Sequence, residues 1–314
     1  MIDVRNLVRA FGEKVAVDHI SFKVAKGEVL GFLGPNGAGK STTMRVLAGY
    51  LPASSGEVRV GGVNVETAPL ETKRQIGYLP ENAPSYGEMS VLGFLRFAGE
   101  LRGLAGAALT RAVDLAMETC FLTTVRNQSI DTLSKGYRHR VGLAQAIVHD
   151  PPVLILDEPT DGLDPNQKHE VRSLIRRMGE TKAIIFSTHI LEEVEASCSR
   201  ALIINQGKIV ASGTPAELKA RGKHSGCVLL RLAPGAHDGV TQALMSLPGV
   251  GEVETLAPAT TFRIHPKVPG HPLSRSIAVL AASKRWSLET LTVEEGRLDD
   301  VFREITMPKE APRP

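Results

Sequence analysis

Over residues 2–33, hydrophobic and polar positions alternate in short β-rich runs. Residues 2–8, 15–24 and 28–33 read as strands, parted by the turn residues Phe11-Gly12-Glu13-Lys14 and Lys26-Gly27. Residues 41–50 read as a helix, 56–65 as a strand pair around Gly61-Gly62, and 75–79 as one more strand. From about residue 85 to 149 the texture changes. Ala, Leu, Arg and Glu recur at helical spacing with almost no β-branched runs, which predicts a helical insert. Residues 153–156 and 183–187 are uninterrupted apolar runs, the form taken by parallel strands covered on both faces. Residues 201–212 read as a hairpin around Asn205-Gln206-Gly207. Thr214-Pro215-Ala216-Glu217 reads as a helix start, with Thr214 as cap and Glu217 closing a capping box.

A linker at 221–226 then opens a second region. Its pattern predicts strand 227–232, helix 236–247, strands 250–257 and 260–265, helix 271–284, strand 286–293 and helix 298–306. The first six form a β-α-β-β-α-β order, the split-βαβ or ferredoxin-like arrangement of a small α+β domain. Residues 308–314, with three prolines and several charges, read as a disordered tail. A chain of 314 residues suits two domains, each long enough for its own core.

Charge and cysteine content narrow the chemistry. A net charge of +3 gives no basic surface for nucleic acid. No apolar run approaches the ~18–20 residues of a spanning helix, and the N-terminus runs into a strand without signal-peptide features. Cys120, Cys198 and Cys227 are far apart and odd in number, which suits a reducing cytosol. His224 and Cys227 stand in an H-x-x-C arrangement, but no second pair follows at metal spacing. They read as a loop histidine and an unpaired thiol.

The chemistry is concentrated elsewhere. The strand at 28–33 runs into Gly34-Pro35-Asn36-Gly37-Ala38-Gly39-Lys40-Ser41, a G-x-x-x-x-G-K-S phosphate loop, and a helix follows. The glycines let successive backbone N–H groups turn toward a β-phosphate, and the helix N-terminus favours the anion. Lys40 supplies a point charge to the β and γ oxygens, and the Ser41 hydroxyl is a ligand for Mg²⁺. The apolar strand at 153–156 then ends in Asp157-Glu158. Both carboxylates emerge at the C-terminal edge of a sheet, where α/β proteins bind ligands. Asp157 is placed to hold Mg²⁺, and Glu158 is the candidate general base for an attacking water.

Leu133-Ser134-Lys135-Gly136-Tyr137 resembles the L-S-G-G-Q-like signature of ABC ATPases, upstream of the acidic strand as in that family. Asp161-Gly162-Leu163-Asp164 looks like its D-loop, His189 like its switch histidine, and Phe11 like the aromatic that stacks on adenine. The resemblance covers residues 1 to about 220, with every landmark in family order. It implies a P-loop ABC ATPase domain over 1–222: a mixed-sheet core, an antiparallel β subdomain and a helical insert. The α+β accessory domain then occupies 223–307. It implies an ATP- and Mg²⁺-dependent enzyme whose nucleotide contacts include Phe11, the loop from Gly34 to Ser41, Thr42 and Asp164. Ser134 and Gly136 would reach the γ-phosphate held by a second subunit, so two chains must pair head-to-tail. His189 would contact the γ-phosphate and hold the water in line with Glu158.

Two departures stand out. The signature carries Lys135 and Tyr137 where Gly and Gln are common. The Q-loop glutamine is replaced by Glu81, within Ile76-Gly77-Tyr78-Leu79-Pro80-Glu81-Asn82. Glu81 has the same reach, and we read it as taking the glutamine's place near Mg²⁺. L-P-E-N, L-S-K-G-Y and the C-terminal domain, which ends around residues 291–302, resemble a branch of bacterial exporters. That branch is related to gliding-motility, copper-maturation and multidrug-type ATPases. In it a separate membrane permease pairs with a cytoplasmic ATPase bound to the inner face of the cell membrane. Two alternatives stay open: a soluble ABC ATPase without a transport role, and a nucleotide-gated regulator that hardly hydrolyses.

Overall fold

The computed structural model describes residues 1–82, 84–234, 239–268 and 270–306. The chain divides into two compact units, Met1–Pro215 and a second that begins at Ala216. The tail expected at 308–314 and the first residues of the helix expected at 236–247 lie outside the described residues.

The first unit opens with β1 (Ile2–Phe11), β2 (Lys14–Val24) and β3 (Val29–Leu33), then α1 (Lys40–Leu47). β4 (Ser55–Val60), β5 (Val63–Asn64), α2 (Pro69–Arg74) and β6 (Ile76–Leu79) follow. The helical insert contains α3 (Val91–Leu101), α4 (Gly106–Thr119) and α5 (Lys135–Ile147). The chain returns through β7 (Val153–Asp157), α6 (Pro165–Gly179), β8 (Ala183–Thr188), α7 (Leu191–Ser197), β9 (Arg200–Asn205) and β10 (Lys208–Gly213). One sheet is antiparallel, in the order β2-β1-β4-β5, and the other runs β10-β9-β3-β8-β7-β6. Within the second sheet β9, β3, β8, β7 and β6 are parallel, and β10 is an antiparallel edge.

The continuous apolar runs have a direct cause. Every residue of β3, β7 and β8 is buried. Alternate side chains feed two cores. Leu154, Leu156, Ile184 and Phe186 belong to the cluster of Phe94, Leu109, Leu143 and Leu174, on the helical side. Val153, Ile155, Ala183 and Ile185 belong to the cluster of Ile2, Leu7, Ile20, Met44 and Leu47, on the side of the antiparallel sheet. Each large side chain so buried contributes about 1.5–3 kcal/mol. A polar residue within these strands would lose that on either face, so polar chemistry is confined to the strand ends. Because β8 lies between β3 and β7, the C-terminal ends of all three fall within about 10 Å at the usual ~4.8 Å strand spacing.

The second unit contains α8 (Pro215–Ala220), of which Pro215 closes the first unit, β11 (Val228–Leu232) and α9 (Val240–Met245). β12 (Val250–Leu256), β13 (Thr261–Pro266), α10 (Ser274–Ser283), β14 (Leu288–Val293) and α11 (Leu298–Thr306) complete it. Its sheet is antiparallel in the order β12-β13-β11-β14. The core contains Val228, Leu230, Leu232, Val240, Leu244, Phe262, Ile264 and Ile277. Residues between these along the strands face the other way. There Arg263 pairs with Glu294 at 2.6 Å and with Glu254 at 3.1 Å.

Candidate functional site

The phosphate loop fills the step from β3 to α1. Gly39 caps α1 with φ of +108°, and a Cβ there would stand 2.4 Å from the Ala16 carbonyl oxygen. A Cβ on Gly34 would stand 2.5 Å from the Ile204 carbonyl oxygen. Both positions therefore need glycine for space, and Gly39 also for its backbone conformation. No side chain caps α1 and its first turn holds no acid. Its leading N–H groups and dipole are left for an anion. Lys40 is 6% exposed and donates to the Gly34 carbonyl at 2.8 Å and the Pro35 carbonyl at 3.3 Å. Its ammonium also stands 3.5 Å from Glu158 Oε1.

A cleft of about 660 Å³ opens over this loop. Phe11, Lys14, Ala16, Asn36, Gly37, Gly39, Lys40, Ser41, Thr42, Glu81, Glu158, Asp161 and His189 line it. Phe11 is 45% exposed, and the Arg9 guanidinium lies 4.5 Å from its ring centre. An exposed aromatic at the cleft mouth is suited to stacking on a base.

The acidic pair divides its work. Asp157 is fully buried; Ser41 Oγ donates to its Oδ1 at 3.1 Å, and Ser187 Oγ donates to the same oxygen. Asp157 Oδ2 is buried without a hydrogen-bond partner among the described residues. An orphaned carboxylate oxygen beside a serine hydroxyl is a fitting donor set for a hard divalent cation such as Mg²⁺. Glu158 sits at φ of +51°, a strained conformation for a residue with a side chain. Ser187 Oγ accepts its backbone N–H at 3.0 Å. His189 Nδ1 lies 3.0 Å from Glu158 Oε2. Burial pushes the Glu158 carboxyl above the ordinary glutamate range, against the opposing pull of His189 and Lys40. A carboxylate raised in this way is a better proton acceptor than an exposed glutamate.

Glu193 on α7 holds both flanks of this pair, a role sequence reasoning missed. It is 1% exposed, and its carboxylate accepts from Thr160 Oγ1 and, at 2.7 Å, from Thr188 Oγ1. It thereby fixes the turn after Glu158 and the strand end before His189. Nothing in an acidic helical stretch marks one glutamate as the inward one. Asp161 was read only as part of a loop motif, yet it lines the cleft.

Of the expected residues, Gly34, Pro35 and Ala38 of the loop and the buried Asp157 do not line the cleft, and neither do Asp164, Ser134 and Gly136. Asp164 caps α6, its Oδ1 accepting the Gln167 N–H at 3.0 Å. Ser134 is exposed and caps α5, its Oγ accepting the Tyr137 N–H at 3.3 Å. Gly136 is buried in the first turn of α5. Lys135 instead reaches the D-loop of its own chain, bonding Asp161 Oδ2 at 2.8 Å and lying over Gly162.

Residues 17–161 match the family model for ABC transporters. The chain is 33% identical over 312 residues to the linearmycin resistance ATP-binding protein LnrL of Bacillus subtilis, covering 98% of each. It is 36% identical over 222 residues to the probable multidrug ABC transporter ATP-binding protein YbhF of Escherichia coli, covering 70% of this chain and 38% of that one. A solved ATP-binding subunit of an ABC transporter superposes with a TM-score of 0.65 at 29% identity. That match covers 70% of this chain and 92% of the solved one.

Proposed function

Since the chain belongs to the ABC transporter family as an ATP-binding, ATP-hydrolysing subunit, we propose that it acts as one half of a two-fold homodimer. The dimer would bind two ATP·Mg²⁺ and power a separately encoded permease in the direction of export. The observation that carries this reading is the division of the site. Lys40, Ser41, Thr42, Glu158 and His189 line one open cleft, whereas Ser134, at the exposed start of α5, does not. A second chain would supply that helix start to the γ-phosphate.

In this scheme Lys40 leaves the loop carbonyls for the β and γ oxygens. Phe11 stacks on the adenine. Ser41, Asp157 and Glu81 would hold Mg²⁺, which when bound would neutralise phosphate charge. Glu158 takes the proton from the attacking water, and His189 orients that carboxylate. Lys135 releases Asp161 as the dimer closes; the exposed pair is worth only ~0–1 kcal/mol, a small barrier to rearrangement. Closure draws its free energy from tighter ATP binding in the closed state.

Export is supported by the resistance and multidrug names of the relatives. Among the described residues no helix is long and apolar enough to cross a membrane, which accords with a permease in another polypeptide. The inner face of the cell membrane is the place we assign to the working complex. We assign the βαββαβ region at 223–307 a ferredoxin-like accessory role in dimer stability or regulation. Co-purification of the tagged chain from native membranes is expected to recover an integral-membrane protein in stoichiometric amount. Recovery of the chain alone, or with ribosomes, would favour the non-transport reading.

Glu81 is exposed at the cleft and carries a negative charge where the family's common form is neutral. Glu81→Ala is expected to lower steady-state ATPase about 10-fold or more, and Glu81→Gln to alter its Mg²⁺ dependence while retaining turnover. Wild-type kinetics in both variants would sink the assigned role.

A further inference from the structure

His224, Cys227 and His265 take no part in the nucleotide site. Their ligand atoms all lie within 4.8 Å of one another. We propose that they form a transition-metal site of the zinc(II) class in the second unit, joining the turn before β11 to the strand β13.

Two local features assemble the cluster. The Cys227 N–H donates to the His224 carbonyl at 3.1 Å, so a tight turn brings the two H-x-x-C residues together. Val228 of β11 pairs with Ile264 of β13 in antiparallel register. One step before that pair, Cys227 is set opposite His265. Val228 and Ile264 enter the core, so Cys227 and His265 share the other face of the sheet.

The distances suit a single ion. Cys227 Sγ stands 3.2 Å from His265 Nδ1. Zinc bonds of ~2.3 Å to sulfur and ~2.0 Å to nitrogen place tetrahedral ligand atoms about 3.3–3.6 Å apart. Small side-chain rotations close the remainder. Cys227 is 1% exposed, and His224 Nδ1 is buried without a hydrogen-bond partner among the described residues.

The surroundings are those of a ligating imidazole. His265 turns Nδ1 to the sulfur, while its Nε2 faces Glu254 Oε2 at 3.8 Å. Glu254 is itself held by Arg263 at 3.1 Å. A carboxylate behind the far nitrogen fixes tautomer and ring orientation in metal sites. A thiolate with two imidazoles selects zinc-like ions over Mg²⁺, so the site would not compete for the cation of the phosphate loop. Binding releases the thiol proton to solvent, and three protein ligands leave a fourth position for water.

The plainer account is a thiol–imidazole hydrogen bond with no metal, and cobalt(II) separates the two. The full chain, metal-stripped and nucleotide-free, is titrated with Co(II) and followed in the near ultraviolet. One equivalent is expected to raise a thiolate-to-cobalt charge-transfer band that Zn(II) then abolishes. Cys227→Ser and His265→Gln should lose the band. Glu254, a positioning residue, should when changed to Gln keep the band at about 10–100-fold lower affinity. Absence of the band in the wild-type chain, or its survival in Cys227→Ser, overturns the proposal. Should a variant fail to fold, the wild-type chain still decides.

Discussion

Replacing Glu158 with Gln is expected to lower the ATP turnover of the chain by about 10²–10⁴-fold while leaving ATP binding intact. The substitution keeps the side chain's size, so the strained backbone at φ of +51° and its bond to Ser187 are undisturbed. It removes only the basicity of the carboxylate, whose Oε1 faces Lys40 and whose Oε2 faces His189. With hydrolysis blocked, ATP·Mg²⁺ should hold two chains together. Size-exclusion chromatography should then show a dimer with ATP·Mg²⁺ and a monomer without it. A variant that stays monomeric under both conditions would falsify the sandwiched dimer, and one that hydrolyses at the wild-type rate would remove Glu158 as the base.

The same residue sets the expected pH dependence of the wild-type chain. Glu158 accepts a proton only when ionised, and burial raises its carboxyl above the ordinary glutamate range. Activity should therefore be complete above that raised value and fall as the pH drops through it. The acid limb of the profile is expected above ~4.3, the pKa of a free glutamate. A limb at or below that value would show that burial does not govern the base.

Replacing Lys40 with Met is expected to lower turnover about 10²–10³-fold, the usual consequence of deleting a positive group that clamps a transferring phosphoryl. ATP affinity should fall about 10–100-fold with it, since a hydrogen bond to a charged group is worth ~1.5–3 kcal/mol. Methionine keeps most of the buried stem, so the effect reports the ammonium rather than packing. The change also leaves the buried Glu158 carboxylate without its ammonium neighbour, which raises its pKa further. Calorimetric titration with ATP measures the first effect and steady-state ATPase the second. An affinity within threefold of wild type would show that the loop's N–H groups bind the phosphates without the lysine.

Much of the first unit was legible because its signals are local. The phosphate loop needs glycine at fixed offsets for steric reasons that the structure displays at Gly34 and Gly39. The acidic pair had to lie where an unbroken apolar run stops, because β7 is covered on both faces. The order of elements in the second unit followed from periodicity in the same way.

Other features depended on which distant segments become neighbours, and periodicity carries no such information. That β8 lies between β3 and β7, and so sets His189 3.0 Å from Glu158, follows from how the strands bury both faces in one sheet. Asp164 was read as a nucleotide contact, but the geometry of α6 directs its carboxylate to a cap, while Asp161 lines the cleft. Glu193 is ionisable and sits in an acidic stretch, yet two buried threonine hydroxyls draw it inward. The Cys227 thiol looked unpaired because its nearest histidine in the sequence offers only one ligand. The antiparallel register of β11 and β13 brings the second from the far end of a hairpin. The sequence by itself determined the chemistry each local segment carries; tertiary structure decided which of those groups meet, because contacts between strands are set by burial and register rather than by residue spacing.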